Sequence, residues 1–464
     1  MRTRFAPSPT GALHSGVVRT ALFSWLLAQQ SNGQFILRIE DTDQKREVEG
    51  GVGNIKETLR WLGLEWQEGP DVGGPYAPYL QSQRLEKYKQ VAEELIAKGL
   101  AYADPYTPEE LQAFREKAQV EKRPFLYRDH RPESPPKWDG SQALRVKLEP
   151  KDWSWDDAIM GKVSMGPEMI DDFIIIKADG FPTYNFAHIV DDHEMKITHI
   201  LRSQEFLSSI PKFLATHEIL NWDSPVNATA PQVMDETGRR KLSKRHGAKP
   251  VLEYREMGFL PDAIVNFLAL IGWNDGTDQE IYSRQELIEK FSLDRVQKSG
   301  GIFDERRLVW FNGHYIRKLS LDELYRLSEK FWPESAKAYD DNYRRAVLEL
   351  FHERLKFLSE LPELTGYFFS DPKIDIEKLT DSQTDETAAR KFVEATIAEL
   401  GESDFSEADL EQRMRGLVDR LATKPGALFK VIRMGVTGST VAPGLFETLH
   451  VIGKERTLDR LKAL

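Results

Sequence analysis

Two stretches of this sequence have the residue types and spacing to work on phosphates. The chain opens with Arg4-Phe5-Ala6-Pro7-Ser8-Pro9-Thr10-Gly11-Ala12-Leu13-His14-Ser15-Gly16, passing from a short apolar strand (Thr3 to Ala6) through a Pro- and Gly-rich turn into a helix. That order aims free backbone N–H groups and the positive end of a helix dipole beyond the strand end, which suits a phosphate. His14 adds an imidazole able to donate to a phosphoryl oxygen, and Gly16 leaves room for a nucleotide to pack. Far downstream, Lys241-Leu242-Ser243-Lys244-Arg245 gathers three cations, directly after Asp235-Glu236-Thr237-Gly238-Arg239-Arg240. Alone, either stretch has a plain reading, since glycine turns are common and a cationic run is usually a solvated loop.

Several elements must position these groups. A helix over Val17 to Gln30 carries Leu22, Phe23, Leu26 and Leu27 on one face and stops at Ser31-Asn32-Gly33. Gln34 to Ile39 reads as a second strand ending in Arg38-Ile39-Glu40-Asp41-Thr42-Asp43. Ligands of open α/β sheets sit beyond the carboxyl ends of the strands, so Glu40 is placed to meet a substrate, while Asp41 and Asp43 serve equally well as caps of the next helix, Val48 to Leu62. A further helix runs from Arg84 to Lys98. From Ala101 to about Gly180 the texture turns Pro-rich and aromatic, with strands at Ala143 to Leu148 and Phe173 to Ile176, as in an insertion. A strand over Ile197 to Arg202 then brings Arg202-Ser203-Gln204-Glu205 to its end, and beyond Leu319 the apolar period is helical.

Composition sets limits. At 464 residues two to four domains are expected, and 10 Trp with 24 Phe supply ample core. No apolar run is long enough to span a bilayer and no signal peptide is evident, so no membrane is expected. The chain has no cysteine, which rules out disulfides and thiolate metal sites and fits a reducing cytosol. A formal net charge of −11 argues weakly against nucleic acid, because a polyanion needs one basic face only; Arg239 to Arg245 and Arg306-Arg307 are local clusters.

The two stretches together resemble the paired signatures of class I aminoacyl-tRNA synthetases, and Arg4 to Gly11 is similar in wording to the bacterial-type glutamyl-tRNA synthetase family. Gly180 to His193, Arg202 to Glu205, Gly300 to Ile316 and the tail from Met434 to Arg456 carry the likeness onward. It implies an α/β fold: a Rossmann-type class I synthetase catalytic domain with an α+β insertion, followed by an all-helical C-terminal anticodon-binding part. The implied boundaries are 1–100 for the first catalytic half, 101–183 for an insertion that binds the tRNA acceptor end, 184–240 for the second half, 241–319 for the signature loop and stem-contact domain, and 320–464 for the helical anticodon-binding region.

The implied activity is attachment of glutamate to tRNA(Glu) through a glutamyl-adenylate, with ATP as co-substrate and Mg2+ carried by the nucleotide. By resemblance Pro7, Thr10, Gly11, His14, Gly16, Glu205, Lys241, Ser243 and Lys244 meet ATP, and His14, Gly16, Lys241 and Lys244 act in catalysis. Arg4, Ala6, Ser8, Glu40, Tyr184, His188 and Arg202 surround glutamate. Arg4 and Arg202 suit its side-chain carboxylate, because a guanidinium fork satisfies two oxygens at once; Glu40 suits the α-ammonium, with Tyr184 and Ser8 as hydroxyl partners. Arg354 is the implied reader of the third anticodon base, the alternative being an ordinary solvated arginine on a helix. Some family members hold zinc through cysteines near the segment matching Tyr102 to Tyr106; Ala103, Asp104 and Tyr106 stand here, so zinc is not expected, and His130 reads as a surface group. Departures from the family pattern are Ser15, His188 and Ser203. Ser15 and His188 motivate an alternative, a non-catalytic tRNA-binding paralogue; a shorter tRNA-modifying relative would lack the helical C-terminal half. A cytoplasmic monomer is expected.

Overall fold

The structure, a computed structural model, describes residues 1–243, 247–374, 376–380, 384–440 and 442–464. Its contacts divide into two compact units, Met1–Glu253 with Pro261–Glu305, and Tyr254–Leu260 with Arg306–Leu464. The segment 241–319, expected as one domain, is thus shared between them.

In the first unit, β1 (Arg2–Phe5) leads through the turn to α1 (Ser15–Gln30), and β2 (Gln34–Leu37) returns parallel to β1 with Arg4 opposite Ile36. Two helices follow, α2 (Gly51–Trp61) and α3 (Leu85–Ala97). The insertion holds β3 (Ala101–Ala103), α4 (Pro108–Val120), β4 (Leu144–Val146), β5 (Trp153–Asp157), β6 (Gly161–Met165) and β7 (Ile174–Ile176). β3, β4 and β7 form an antiparallel sheet, and β5 and β6 a hairpin. The chain re-enters the catalytic sheet through α5 (Tyr184–Glu194), β8 (His199–Ser203), α6 (Ile210–Leu220) and β9 (Val226–Ala230). β8 and β9 are parallel, with Arg202 opposite Thr229, and β8 lies beside β1, where Thr198 N donates to Arg2 O at 3.0 Å. The carboxyl ends of these four parallel strands therefore open on one side.

A short β10 (Val233–Met234) begins the signature loop, and α7 (Val251–Glu256) follows it. The first unit closes with α8 (Pro261–Ala269), α9 (Arg284–Lys290) and β11 (Gly301–Ile302), which pairs in parallel with β10. α1 departs from the one-faced helix expected. Val18, Ala21, Leu22, Phe23, Trp25, Leu26, Leu27 and Ala28 are all buried, because the sheet covers one side of it while α8 and α9 cover another.

After α10 (Glu305–Arg317), the second unit is a stack of helices: α11 (Leu321–Ser328), α12 (Asp341–Phe351), α13 (Leu361–Phe369), α14 (Glu386–Gly401), α15 (Glu407–Arg420), α16 (Pro425–Thr437), α17 (Leu445–Ile452) and α18 (Lys454–Lys462). Side chains of Ser320, Asp340, Asp385 and Ser406 cap four of their N-termini, each accepting from a backbone N–H that the helix leaves unpaired.

Three local expectations need correction. α2 begins only at Gly51, behind Gly50 at φ 75°, and neither Asp41 nor Asp43 caps it. Asp41 is buried and accepts from Ser82 N at 2.8 Å and Ser82 Oγ at 2.6 Å, which ties the end of β2 to the loop before α3. His130 is half-buried rather than a surface group, its ring stacked at 4.2 Å on Phe114 and flanked by Phe125. Arg354 lies in the turn after α12, not on a helix.

The insertion is held by buried ionic hydrogen bonds. Asp104 accepts from Tyr127 Oη at 2.6 Å and Arg145 Nε at 2.7 Å, and Asp172 from Tyr102 Oη and Arg131 Nε, both at 2.6 Å. Among the described residues no group of three or more His, Cys, Asp or Glu could hold a metal ion.

Asp157 joins the insertion to the catalytic sheet. Its buried carboxylate accepts from Thr229 N at 3.0 Å and Thr229 Oγ1 at 2.6 Å in β9, and from Ile159 N and Met160 N in its own turn. Asp157→Ala strands these donors away from water, where each unmet one costs about 1–3 kcal/mol. Urea unfolding of the variant should show a loss of roughly 3 kcal/mol, and a loss under about 1 kcal/mol would mean that solvent reaches these groups.

Candidate active site

A cavity of about 1080 Å3 opens over the strand ends, and most of the residues singled out in the sequence line it: Arg4, Ala6, Pro7, Ser8, His14, Gly16, Glu40, Tyr184, Arg202, Glu205 and Lys241. They come from the ends of β1, β2 and β8, from the start of α1 and α5, and from the signature loop. Thr10, Gly11, His188 and Ser243 are not on its wall. Lys244 lies outside the described residues, and Arg354 belongs to the second unit.

Half of the cavity rests on buried charge. Arg38, fully buried at the end of β2, places Nη1 at 2.7 Å from Asp192 Oδ1, Nη2 at 3.0 Å from Glu40 Oε1, and Nε at 3.7 Å from Asp191 Oδ2. Asp192 also accepts from Arg4 Nε at 3.1 Å, and so fixes the direction of the Arg4 fork. Asp191 in turn receives Arg84 Nε at 2.6 Å, with Gln81 Nε2 and Tyr88 Oη each at 2.8 Å. Burial alone would raise the Asp192 carboxyl, but the guanidiniums of Arg38 and Arg4 hold it well below the usual range. At Glu40 burial prevails over Arg38 and Arg4, and its carboxyl sits above its ordinary value.

Arg202 is different. It is 5% exposed, its guanidinium lies 4.8 Å over the Phe213 ring, and its Nε and Nη1 have no hydrogen-bond partner. Burial lowers its pKa, with Tyr184 and Asp192 as partial compensation and Arg4 as a repulsive neighbour. Arg4, Arg38, Arg84 and Arg202 face Asp191, Asp192 and Glu40, so four cations against three carboxyls leave one positive charge even with every acid ionised. An anion entering beside Arg202 would meet donors that the protein leaves open. Glu40, on the same wall, offers a carboxylate to a cationic group of the same ligand.

The other half of the cavity is bounded by the start of α1 and the signature loop. His14 precedes α1 in extended conformation, and a Cβ built on Gly16 would lie 3.4 Å from the His14 ring and 3.7 Å from Val233 Cβ, filling the floor between them. The signature loop is fastened at both sides of this floor. Leu242 N donates to Val233 O at 2.8 Å and Ala248 N to Ser243 O at 3.0 Å, and Val251 N reaches Leu13 O at 2.9 Å. Lys241 forms an ion pair with Glu205 at the rim, where both side chains are about half exposed.

His188 lies behind the wall instead of on it. One helical turn from both Tyr184 and Asp192, it packs edge-on to Phe213 at 4.4 Å and beside Tyr184 at 4.9 Å, with Nδ1 at 3.7 Å from Asp192 Oδ2. Burial lowers its pKa to about 3, so it is neutral at physiological pH. Sequence reasoning missed Arg38, Asp192 and Arg19, all buried at or behind the cavity. The available signal was a charged residue inside an apolar run: Arg38 after Phe35-Ile36-Leu37, and Arg19 between Val18 and Ala21.

Comparison with known proteins agrees in extent with this architecture. The family described as tRNA synthetases class I (E and Q), catalytic domain, matches residues 1–310, and an anticodon binding domain matches residues 323–464. Glutamate–tRNA ligases of Dehalococcoides mccartyi and Moorella thermoacetica are each 42% identical over 99% of this chain, with 96% and 97% of their own lengths covered. Among solved structures, a glutamate tRNA ligase from Elizabethkingia meningosepticum in complex with its amino acid superimposes with a TM-score of 0.90 at 32% identity, over 100% of this chain and 98% of that one. The glutamate–tRNA synthetase of Elizabethkingia anophelis gives 0.88 at 32% identity, over 100% and 99%.

The neutrality of His188 has a pH signature. Its folded pKa lies below the unfolded one, so its contribution to stability is complete above about pH 6.5 and is lost as pH falls toward about 3. Compared with His188→Asn, the wild type should lose roughly 2 kcal/mol of unfolding free energy between pH 6.5 and 5, at about 1.4 kcal/mol per pH unit. Parallel stability curves for the two proteins would place a proton on His188 in the folded state.

Proposed function

The chain belongs to the class I tRNA synthetase family for glutamate and glutamine, and from that premise we propose that it attaches L-glutamate to tRNA(Glu) through a glutamyl-adenylate, for translation. The observation that carries the choice of amino acid is the buried Arg202 guanidinium with open Nε and Nη1, in the cavity that Glu40 also lines. Relatives at 42% identity over nearly their whole length bear the name glutamate–tRNA ligase, which supports glutamate over glutamine.

Arg202 and Arg4 take the side-chain carboxylate, Glu40 the α-ammonium, and Tyr184 and Ser8 supply hydroxyl contacts. This leaves the α-carboxylate facing the nucleotide half. One of its oxygens attacks the α-phosphorus in line and pyrophosphate departs. The protein contributes position and charge stabilisation, with no covalent nucleophile. His14 donates to a phosphoryl oxygen, Gly16 admits the base, and Lys241 leaves Glu205 to meet the phosphates together with Lys244. Pro7 lines the same cavity, whereas Thr10, Gly11 and Ser243 act by shaping the turn and loop. Mg2+, brought by the nucleotide, supplies charge neutralisation on the phosphates. A ribose hydroxyl at the tRNA 3′ end then attacks the activated carbonyl and AMP leaves. His188 acts from behind Tyr184, not as a contact.

The insertion is proposed to hold the acceptor end, the stretch 241–319 to carry the signature loop and stem contacts, and the helical part from 320 to 464 to bind the anticodon. No helix among the described residues is long and apolar enough to cross a membrane. A cytoplasmic monomer is the proposed working state.

Charging of purified tRNA(Glu) with labelled glutamate tests the proposal. Tight tRNA binding without charging, and without tRNA-dependent exchange of pyrophosphate into ATP, would instead support the non-catalytic paralogue. Arg202→Gln should lower kcat/KM for glutamate by about a hundredfold or more without efficient use of glutamine, since an amide needs donors and acceptors arranged for it. Efficient glutamine charging by that variant would refute the claim of further discriminating contacts. Arg354 is exposed, with Nη1 at 3.3 Å from Ala442 O, and is our candidate reader of the third anticodon base. A good base contact is worth about 1–3 kcal/mol, so Arg354→Gln should narrow the preference for tRNA(Glu) over tRNA(Gln) about tenfold or more, with tRNA-independent steps little changed. An unaltered preference would move the reading to another residue.

A further inference from the structure

Arg19 is a buried cation without a carboxylate. It sits on α1 between the buried Val18 and the half-buried Thr20, is 2% exposed, and lines the cavity together with His14 and Gly16. Its guanidinium donates to two backbone carbonyls, Pro231 O and, at 2.9 Å, Ile271 O, and lies 5.4 Å from the Phe23 ring centroid; Nε has no partner. Burial, with no acid to offset it, lowers its pKa to about 10, so it still carries its charge at neutral pH.

Such a residue is costly, and its partners show what it holds together. Pro231 directly follows β9 and leads through Gln232, also on the cavity wall, into β10, from which the signature loop departs. Ile271 ends the chain that leaves α8, next to Gly272, whose carbonyl accepts from Gln297 N at 2.8 Å. The same region packs on β11: a Cβ on Gly301 would come within 2.7 Å of Ile271 Cγ2, and Gly301 is the register partner of Val233. One fork on α1 thus fastens the β9–β10 turn and the α8 exit to the helix that carries His14 and Gly16.

We propose that Arg19 is a positioning residue for the nucleotide: it clamps the Pro231–Val233 wall and the Ile271 bend onto α1, and so sets the distance between the His14–Gly16 floor and the base of the signature loop. This rests on the reading of that half of the cavity as the ATP site. A fork is needed because two carbonyls in different segments must be met by one rigid group. Lysine would keep the charge but could reach only one of them. The amino-acid half, held by Arg38 and Asp192, does not depend on this clamp.

The test is tRNA-dependent pyrophosphate exchange with wild type, Arg19→Lys and Arg19→Gln, each titrated separately with ATP and glutamate, beside their melting temperatures. Arg19→Gln should raise KM for ATP tenfold or more with KM for glutamate within about twofold, and Arg19→Lys should fall between it and wild type. Should Arg19→Gln fold poorly, the Lys variant alone decides: wild-type KM for ATP in a folded Lys variant overturns the proposal, as does an equal rise in both KM values. A lowered melting temperature with both KM values unchanged also overturns it, by leaving only a structural role. Failure of the ATP reading itself is separable, because then the wild type would give no exchange at all.

Discussion

The fold around the cavity depends on one buried guanidinium. Arg38 reaches Asp192, Glu40 and Asp191 at once, and through Asp192 it determines where Arg4 points. Taking so many charges out of water is expensive and does not by itself favour folding; an apolar cluster of similar volume would serve stability as well. What the network provides is direction. β8 comes from a part of the sequence distant from β1 and β2, and beside the backbone ladder the matched charges on Arg4, Arg38, Glu40 and the Asp191-Asp192 pair of α5 tie the strand ends to that helix. Removing Arg38 would leave the buried Glu40 without its guanidinium partner, and removing Asp192 would leave Arg4 without a carboxylate.

The two halves of the cavity use different means. On the side of Arg4, Arg38 and Asp192 the charged groups are buried and pair with one another. On the side of the signature loop the contacts at the loop's ends are backbone hydrogen bonds, and the Lys241 ammonium pairs with Glu205 on the rim. A half-exposed pair of this kind is screened by solvent and worth little, so an arriving polyphosphate can compete for the ammonium without distorting the sheet. Rigid discrimination next to exchangeable charge stabilisation fits a reaction in which charge moves from one phosphate to a leaving group.

Much of this was legible because function here is written in short local signals. A Pro- and Gly-rich turn between a strand and a helix cannot be regular, and His14 and Gly16 follow it directly. Glu40 was legible as a cavity residue from its place past one apolar strand, and Arg202 from its place at the end of another. What the sequence concealed depends on distant pairing. Nothing near Asp41 announces Ser82, nothing near Asp157 announces Thr229, and the stacking of His130 on Phe114 requires a turn of the insertion that periodicity does not encode. The packing of His188 on Phe213, behind Tyr184, likewise depends on a partner distant in sequence. Arg354 fell in a turn because the helical period continues in sequence past Phe351, where α12 stops.

The one excess positive charge in the amino-acid half gives the proposed selectivity a physical form. Arg202 keeps Nε and Nη1 without protein acceptors in a place water cannot readily reach, so its solvation is unusually poor before a ligand arrives. A carboxylate supplies acceptors and a neutralising charge together, and the gain is large because the surroundings screen it weakly. A glutamine amide offers one carbonyl and turns an N–H2 toward another donor, leaving the charge uncompensated. In the proposed reading, discrimination comes less from a snug fit than from a cation whose Nε and Nη1 the protein leaves without an acceptor, with the Phe213 ring packed against the guanidinium.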